Sequence, residues 1–390
     1  MYSVINVSIS RVLSILLIVF YLTNSFGQVK TNIIWYNPAK SPIDMIEGKA
    51  WSDDNKDNLY SRLPYRAKDT VRKEVWNLSK NSAGLVIRFK TNANNITVKY
   101  QTEGGLQMQH MPATGVSGVD LYSVDTSGNQ FWIAAGRSMS DTIIIYRYKG
   151  INPNNQYINQ GMEYRLFLPL YNTVKRLEIG IAEDKSFRFL TKRKLKPIVV
   201  YGTSIAQGAC ASRPGMAWTS ILSRKLDIPV INLGFSGEGK LEKEMIELIS
   251  EIDAQIYILD CLPNMTAPRF TDEEVENKII NAVNFLKSRH PDTPVILVEH
   301  DGYSDGEMRP ERFKQYNDIN KAMRIAFGKM KLKSVKNIYL LTKDNINIDD
   351  DCQVDGIHPN DLGMYRYAEA YIKLIKKVIL PADEDKEVKY

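Results

Sequence analysis

The chain predicts an α/β fold: a three-layer parallel sheet, preceded by a β-sandwich or jelly-roll domain. Three observations carry that expectation. Up to about residue 194 the apolar residues come in short runs, some alternating, separated by Asn-, Gly- and Ser-containing turns. From Leu195 the runs become continuous and alternate with helical stretches. Residues able to do chemistry stand just past the ends of those runs, where open parallel sheets bind ligands.

Taken in order, Arg11 precedes an apolar run from Val12 to Leu22, and small residues follow at Ser25 and Gly27. A basic flank, a short apolar stretch and small residues describe a cleavable secretory signal. Residues 1–27 are therefore expected to be removed, leaving a secreted or periplasmic protein that starts at Gln28. The run is short for a membrane span, and an uncleaved anchor is the alternative. No cysteine follows the expected cut to carry a lipid.

Residues 28–194 read as the β domain. Leu85-Val86-Ile87-Arg88-Phe89-Lys90, Ile96-Thr97-Val98-Lys99-Tyr100, Phe131-Trp132-Ile133-Ala134-Ala135, Thr142-Ile143-Ile144-Ile145-Tyr146, Tyr164-Arg165-Leu166-Phe167-Leu168 and Leu177-Glu178-Ile179-Gly180-Ile181 are its expected strands. β-branched and aromatic residues dominate them, with no long helical pattern between. Residues 195–382 read as the α/β domain. Its expected strands are Pro197-Ile198-Val199-Val200-Tyr201, Val230-Ile231-Asn232-Leu233, Ile256-Tyr257-Ile258-Leu259, Val295-Ile296-Leu297-Val298 and Ile338-Tyr339-Leu340-Leu341. Helices are expected near 217–226, 241–251, 272–288, 310–330 and 363–378. Residues 383–390 form a charged tail expected to be disordered.

With 51 basic against 45 acidic residues and no long Lys/Arg run, the charge balance gives no reason to expect nucleic acid as a partner. Three cysteines, Cys210, Cys261 and Cys352, are too few for a disulfide scaffold and are read as packing residues, with a Cys210–Cys261 bridge as the alternative.

Four segments hold the chemistry. Ser204 ends the first parallel strand in Gly202-Thr203-Ser204-Ile205; it is a nucleophile or a helix N-cap. Gly234 ends the second, in Asn232-Leu233-Gly234; its N–H meets an oxyanion or merely shapes a turn. Asn264 follows the third, in Leu262-Pro263-Asn264-Met265; its amide donates to an oxyanion or closes an Asx turn. Asp355 and His358, three apart in Asp355-Gly356-Ile357-His358-Pro359-Asn360, can face each other across one turn, carboxylate to imidazole. A metal site is the alternative, with no third ligand at suitable spacing. His300, in Val298-Glu299-His300-Asp301, is placed beside the same cleft in a supporting position.

Ser, Gly, Asn and a final Asp-x-x-His, in this order at the ends of successive strands, resemble the SGNH (GDSL-type) hydrolases over about residues 195–379. The resemblance implies a flavodoxin-like sheet with Ser204 as nucleophile, His358 as base and then acid, and Asp355 orienting the ring. It implies an oxyanion hole from the Ser204 and Gly234 N–H groups and the Asn264 side chain. The usual Gly-Asp-Ser-Leu is Gly-Thr-Ser-Ile here, and the usual Gly-x-Asn-Asp is Leu-Pro-Asn-Met, which reshapes the pocket rim but removes no catalytic atom. Gly118-Val119-Asp120-Leu121-Tyr122 is similar to the Gly-x-Asp-Leu-Tyr signature of the β-rich domain that precedes a subset of bacterial SGNH esterases. Asp120 and Tyr122 then serve strand pairing or reach the cleft to bind substrate.

The expected protein is a serine esterase without metal or other cofactor, acting on short-chain, O-acetyl esters of carbohydrates. A lipase or lysophospholipase, or a carbohydrate-binding protein without activity, are the alternatives. Oligomeric state is not legible.

Overall fold

The computed structural model describes residues 32–51, 59–152 and 161–379. The expected signal segment and charged tail lie outside the described residues. Among the described residues, eleven strands precede the α/β region: β1 (Ile33–Tyr36), β2 (Ile46–Glu47), β3 (Val86–Thr91), β4 (Ile96–Thr102), β5 (Asp120–Val124), β6 (Gln130–Ile133), β7 (Gly136–Ser138), β8 (Ile144–Tyr148), β9 (Met162–Phe167), β10 (Val174–Ala182) and β11 (Phe187–Phe189). They pair antiparallel into two sheets, ordered β1-β10-β4-β8-β7 and β11-β3-β9-β5-β6, with β2 on β3. Ile87, Phe89, Val98, Tyr100, Leu121, Tyr164, Leu166 and Ile179 fill the layer between them. Alternation puts every second side chain into that layer, as in Ile96, Val98 and Tyr100 of β4.

Five parallel strands follow: β12 (Ile198–Gly202), β13 (Val230–Gly234), β14 (Ile256–Asp260), β15 (Val295–Val298) and β16 (Ile338–Leu341). Their order is β13-β12-β14-β15-β16, the doubly wound flavodoxin-like arrangement, with the switch point between β12 and β14. The first four strands are buried along their whole length, which is why they read as continuous apolar runs. Helices Trp218–Leu226 and Asp361–Ile379 cover one face, where Trp218 stacks on Tyr371 with ring centroids 4.2 Å apart. Helices Lys243–Ile249, Asp272–Arg289 and Pro310–Leu332 cover the other. No helix among the described residues is long and apolar enough to cross a membrane.

The N-terminal half does more than build the sandwich. Helix Lys73–Ser79 was not expected in a β-rich half. It is two turns long, too short to display a period, and it buries Val75 and Trp76 in the core of the parallel sheet together with Leu63, Ala67 and Val71. Ala83, Met111, Val116 and Leu170 enter the core on the other face. Arg62 is buried and donates to the carbonyls of Leu78, Asn81, Asn232 and Gly234. Its guanidinium thus spans the two halves, stacked 4.8 Å from the Phe235 ring centre. Burial pulls its pKa down to about 9, which still leaves it cationic at neutral pH. All three cysteines are free and buried, so no Cys210–Cys261 bridge exists.

Candidate active site

β12 ends at Gly202, and the one-turn helix Ser204–Gln207 begins two residues later. Thr203, not Ser204, is the N-cap, its hydroxyl accepting from the Ile205 N–H at 3.3 Å. Ser204 is therefore spared capping. Its Oγ lies 2.8 Å from His358 Nε2. The other ring nitrogen, Nδ1, lies 2.7 Å from Asp355 Oδ2. Asp355 Oδ1 accepts the backbone N–H of His358 at 2.8 Å and of Ile357 at 3.1 Å. The turn needs a left-handed residue between them, and Gly356 supplies it at φ +81°. Burial pushes the Asp355 carboxyl up, but the ring and these N–H donors outweigh it, so its pKa lies below the usual carboxylate range. An ionised Asp355 holds the proton on Nδ1 and leaves the Nε2 lone pair facing Ser204.

The three expected oxyanion donors differ in what their N–H groups already meet. The Asn264 side-chain oxygen accepts from the Gly239 N–H at 3.1 Å, and its amide NH2 has no acceptor among the described residues. The Ser204 N–H, at the first helical position, likewise has no acceptor within the helix. The Gly234 N–H is already spent on Asn232 Oδ1 at 2.9 Å. Gly234 is needed for a different reason: a Cβ there would sit 2.2 Å from the backbone nitrogen of Gln207, against the helix that starts at Ser204. The following turn offers another amide. Gly237 has φ +74°, a Cβ added to it would meet nothing within 4 Å, and its N–H has no acceptor among the described residues. That turn packs on the end of β12, since a Cβ on Gly239 would lie 2.2 Å from the Gly202 carbonyl oxygen.

Asp120 and Tyr122 are not placed to bind substrate. Both are buried at the junction of the two halves. Asp120 Oδ2 accepts from Arg213 Nη1 and from the Gly215 N–H, each at 2.8 Å, and Oδ1 accepts from Trp132 Nε1 at 3.1 Å. The Tyr122 hydroxyl accepts from the same Arg213 nitrogen at 2.8 Å. A Cβ on Gly215 would fall 2.4 Å from that hydroxyl oxygen. The signature is a latch across the junction.

His300 does not line the cleft either. It is 1% exposed, its Nδ1 accepts from the Gly302 N–H at 2.9 Å, and Asn320 brackets its backbone. Nothing links its ring to Ser204, Asp355 or His358 among the described contacts.

A different histidine does reach the relay. The His110 ring, in a loop of the N-terminal half, stacks on the His358 ring with centroids 5.7 Å apart and planes 20° off parallel. Only the fold brings it there; nothing in the spacing of Gln107-Met108-Gln109-His110-Met111 signals it. Cys210 is also close by. Burial, reinforced by the Asp355 charge, pushes its thiol pKa up to about 12. His110, Cys210, Asp355 and His358 each offer one metal-ligand atom, all within 4.8 Å of one another. The expectation that Asp355 and His358 lack further ligand-type neighbours is thereby corrected.

A hydrogen-bonded serine, histidine and carboxylate at the switch point of a flavodoxin-like sheet define the SGNH hydrolase class. The pattern of the GDSL-like Lipase/Acylhydrolase family matches residues 195–376, and that of the GxDLY N-terminus of SGNH-hydrolase-type esterases matches residues 33–187. A crystal structure from Bacteroides ovatus ATCC 8483, described as a GDSL-like lipase, is 32% identical, covering 89% of this chain and 98% of its own, with a TM-score of 0.79. The chain belongs to this GDSL-like family, with the GxDLY domain in front. Two more distant structures share the fold. Salicylyl-acyltransferase SsfX3, from a tetracycline biosynthetic pathway, is 15% identical, with 90% of this chain and 99% of that one covered and a TM-score of 0.71. A family two carbohydrate esterase from Cellvibrio japonicus is 11% identical, with 90% and 98% covered and a TM-score of 0.54. Among curated protein sequences none matches this chain.

Proposed function

We propose that the protein is an exported serine esterase that removes short acyl groups, chiefly O-acetyl, from carbohydrates. The observation that carries the reading is the continuous Ser204–His358–Asp355 relay, with contacts of 2.8 and 2.7 Å. Ser204 Oγ attacks the ester carbonyl while His358 Nε2 takes its proton. Negative charge collects on the carbonyl oxygen, and the N–H groups of Ser204 and Gly237 with the Asn264 amide receive it. The imidazolium, steadied by Asp355, then protonates the departing alcohol. Water, deprotonated by the same ring, releases the acid from the acyl-serine. Aspartate stays ionised throughout, consistent with its depressed pKa.

The carbohydrate substrate draws support from the fold shared with a carbohydrate esterase and from the β-sandwich partner domain. Export draws on the N-terminal signal pattern.

The test is acetate release from a panel of acetylated polysaccharides, alongside 4-nitrophenyl acetate and a long-chain 4-nitrophenyl ester, with Ser204→Ala as control. Acetate release that vanishes in the variant supports the proposal. Turnover of the long-chain ester alone would move the protein to lipid substrates. Glycan binding without any turnover would make it a binding protein.

A further inference from the structure

The cluster beside the relay has the makings of a second site. His110 comes from the loop closed by the Met108–Met111 bridge, Cys210 from just past the nucleophile's helix, and Asp355 and His358 from the loop before the last helix. Two imidazoles, a thiol and a carboxylate are a borderline-soft donor set. It suits tetrahedral Zn2+ and is a poor match for the all-oxygen shells of Ca2+ or Mg2+. Bound zinc holds its ligand atoms about 3.3–3.8 Å apart. The four atoms lie within 4.8 Å of one another, and His110 and Asp355 are exposed, so these two side chains have solvent beside them in which to draw in around an ion. Cys210 supplies an independent sign. It is held at φ +66°, a left-handed conformation that residues other than Gly rarely adopt and that gathers at functional sites.

We propose that His110, Cys210, Asp355 and His358 form an inhibitory Zn2+ site. The inhibition rests on the esterase reading above; the metal binding does not. On coordination the thiol gives its proton to solvent, and zinc takes a lone pair of His358. If it takes Nε2, the base that serves Ser204 is gone. If it takes Nδ1, Asp355 is displaced and the remaining proton moves to Nε2, the wrong tautomer for accepting from serine. Either way the hydroxyl cannot be activated while metal is bound. Because His110 belongs to the N-terminal half, the site exists only when the two halves are assembled.

Binding is read without turnover. Co2+ added to the mature protein should give a near-ultraviolet thiolate-to-metal absorption band, and Zn2+ should raise the unfolding temperature. Ser204→Ala should keep both, whereas Cys210→Ser should lose the band. His110→Ala, at an exposed position where the fold is spared, should weaken metal affinity at least about tenfold. With 4-nitrophenyl acetate, Zn2+ should inhibit the wild type, and a chelator should restore the rate. His110→Ala should then need at least about tenfold more zinc for the same inhibition. Absence of the band, or equal zinc sensitivity in wild type, Cys210→Ser and His110→Ala, overturns the site. A band with no ester cleaved by any form leaves the site standing and defeats the esterase reading instead.

Discussion

Replacing Asp120 with alanine separates a latch from a substrate contact. The carboxylate is 4% exposed and accepts three hydrogen bonds, from Arg213, Gly215 and Trp132, at 2.8, 2.8 and 3.1 Å. Alanine strips all three. The Gly215 N–H loses its acceptor in a buried setting, and Arg213, with 23% of its side chain exposed, is left without its anion. Hydrogen bonds to a charged acceptor contribute about 1.5–3 kcal/mol each, but they are not additive. Breaking a buried ion pair by removing one partner costs about 3–5 kcal/mol, and that range is the expected loss. For a chain of this length it lowers the unfolding temperature by roughly 4–6 °C. The assay pairs thermal unfolding with ester hydrolysis well below the transition. Stability should drop while kcat and KM stay near wild type. An unchanged unfolding temperature with a raised KM would refute the latch and return Asp120 to the substrate.

Three further outcomes follow from the geometry. Asn264→Ala should lower kcat by about 10²–10³, as loss of an oxyanion donor does, and an effect confined to KM would make Asn264 a substrate contact instead. Arg62→Met should cost about 3 kcal/mol or more in urea unfolding, because four carbonyls, two of them in fully buried contacts, lose their donor and the apolar methionine cannot replace it; a wild-type midpoint would contradict this. Asp260 gives a pH signature. Burial raises its pKa to about 7, with the Tyr371 hydroxyl opposing and the Asp301 charge adding. The folded state therefore holds a proton that the unfolded chain gives up near pH 4, and stability falls as pH rises from about 4 to about 7. The shift corresponds to up to about 4 kcal/mol. Asp260→Asn should erase that slope, matching wild type near pH 4 and exceeding it at pH 8, as urea midpoints across this range would reveal; parallel pH profiles would rule it out.

Much of the α/β region was legible because its strands are buried on both faces. Val295–Val298 and Ile338–Leu341 lie where their apolar runs stand, and helix Asp272–Arg289 differs from its expected span by one residue. The sandwich was less legible. β2 and β11 have two and three residues, too few to show alternation, and their pairing on β3 depends on distant chain. Among the site residues, Asp355 and His358 are three apart, so local geometry alone lets them meet. Gly234 was misassigned because a glycine after a strand looks the same whether its N–H is free or spent on a neighbouring Asn.

The sequence by itself determined the parallel sheet, the strand ends on which Ser204 and Asn264 stand, and the Asp-x-x-His turn. These follow from periodicity and short spacings, which the chain carries locally. Tertiary structure alone decided that the Asp120 signature latches the two halves, that His110 stacks on His358, that Cys210 joins them, and that Gly237 holds the unspent amide. These turn on which donors are already satisfied and on which loops meet from distant parts of the chain, and long-range packing settles both.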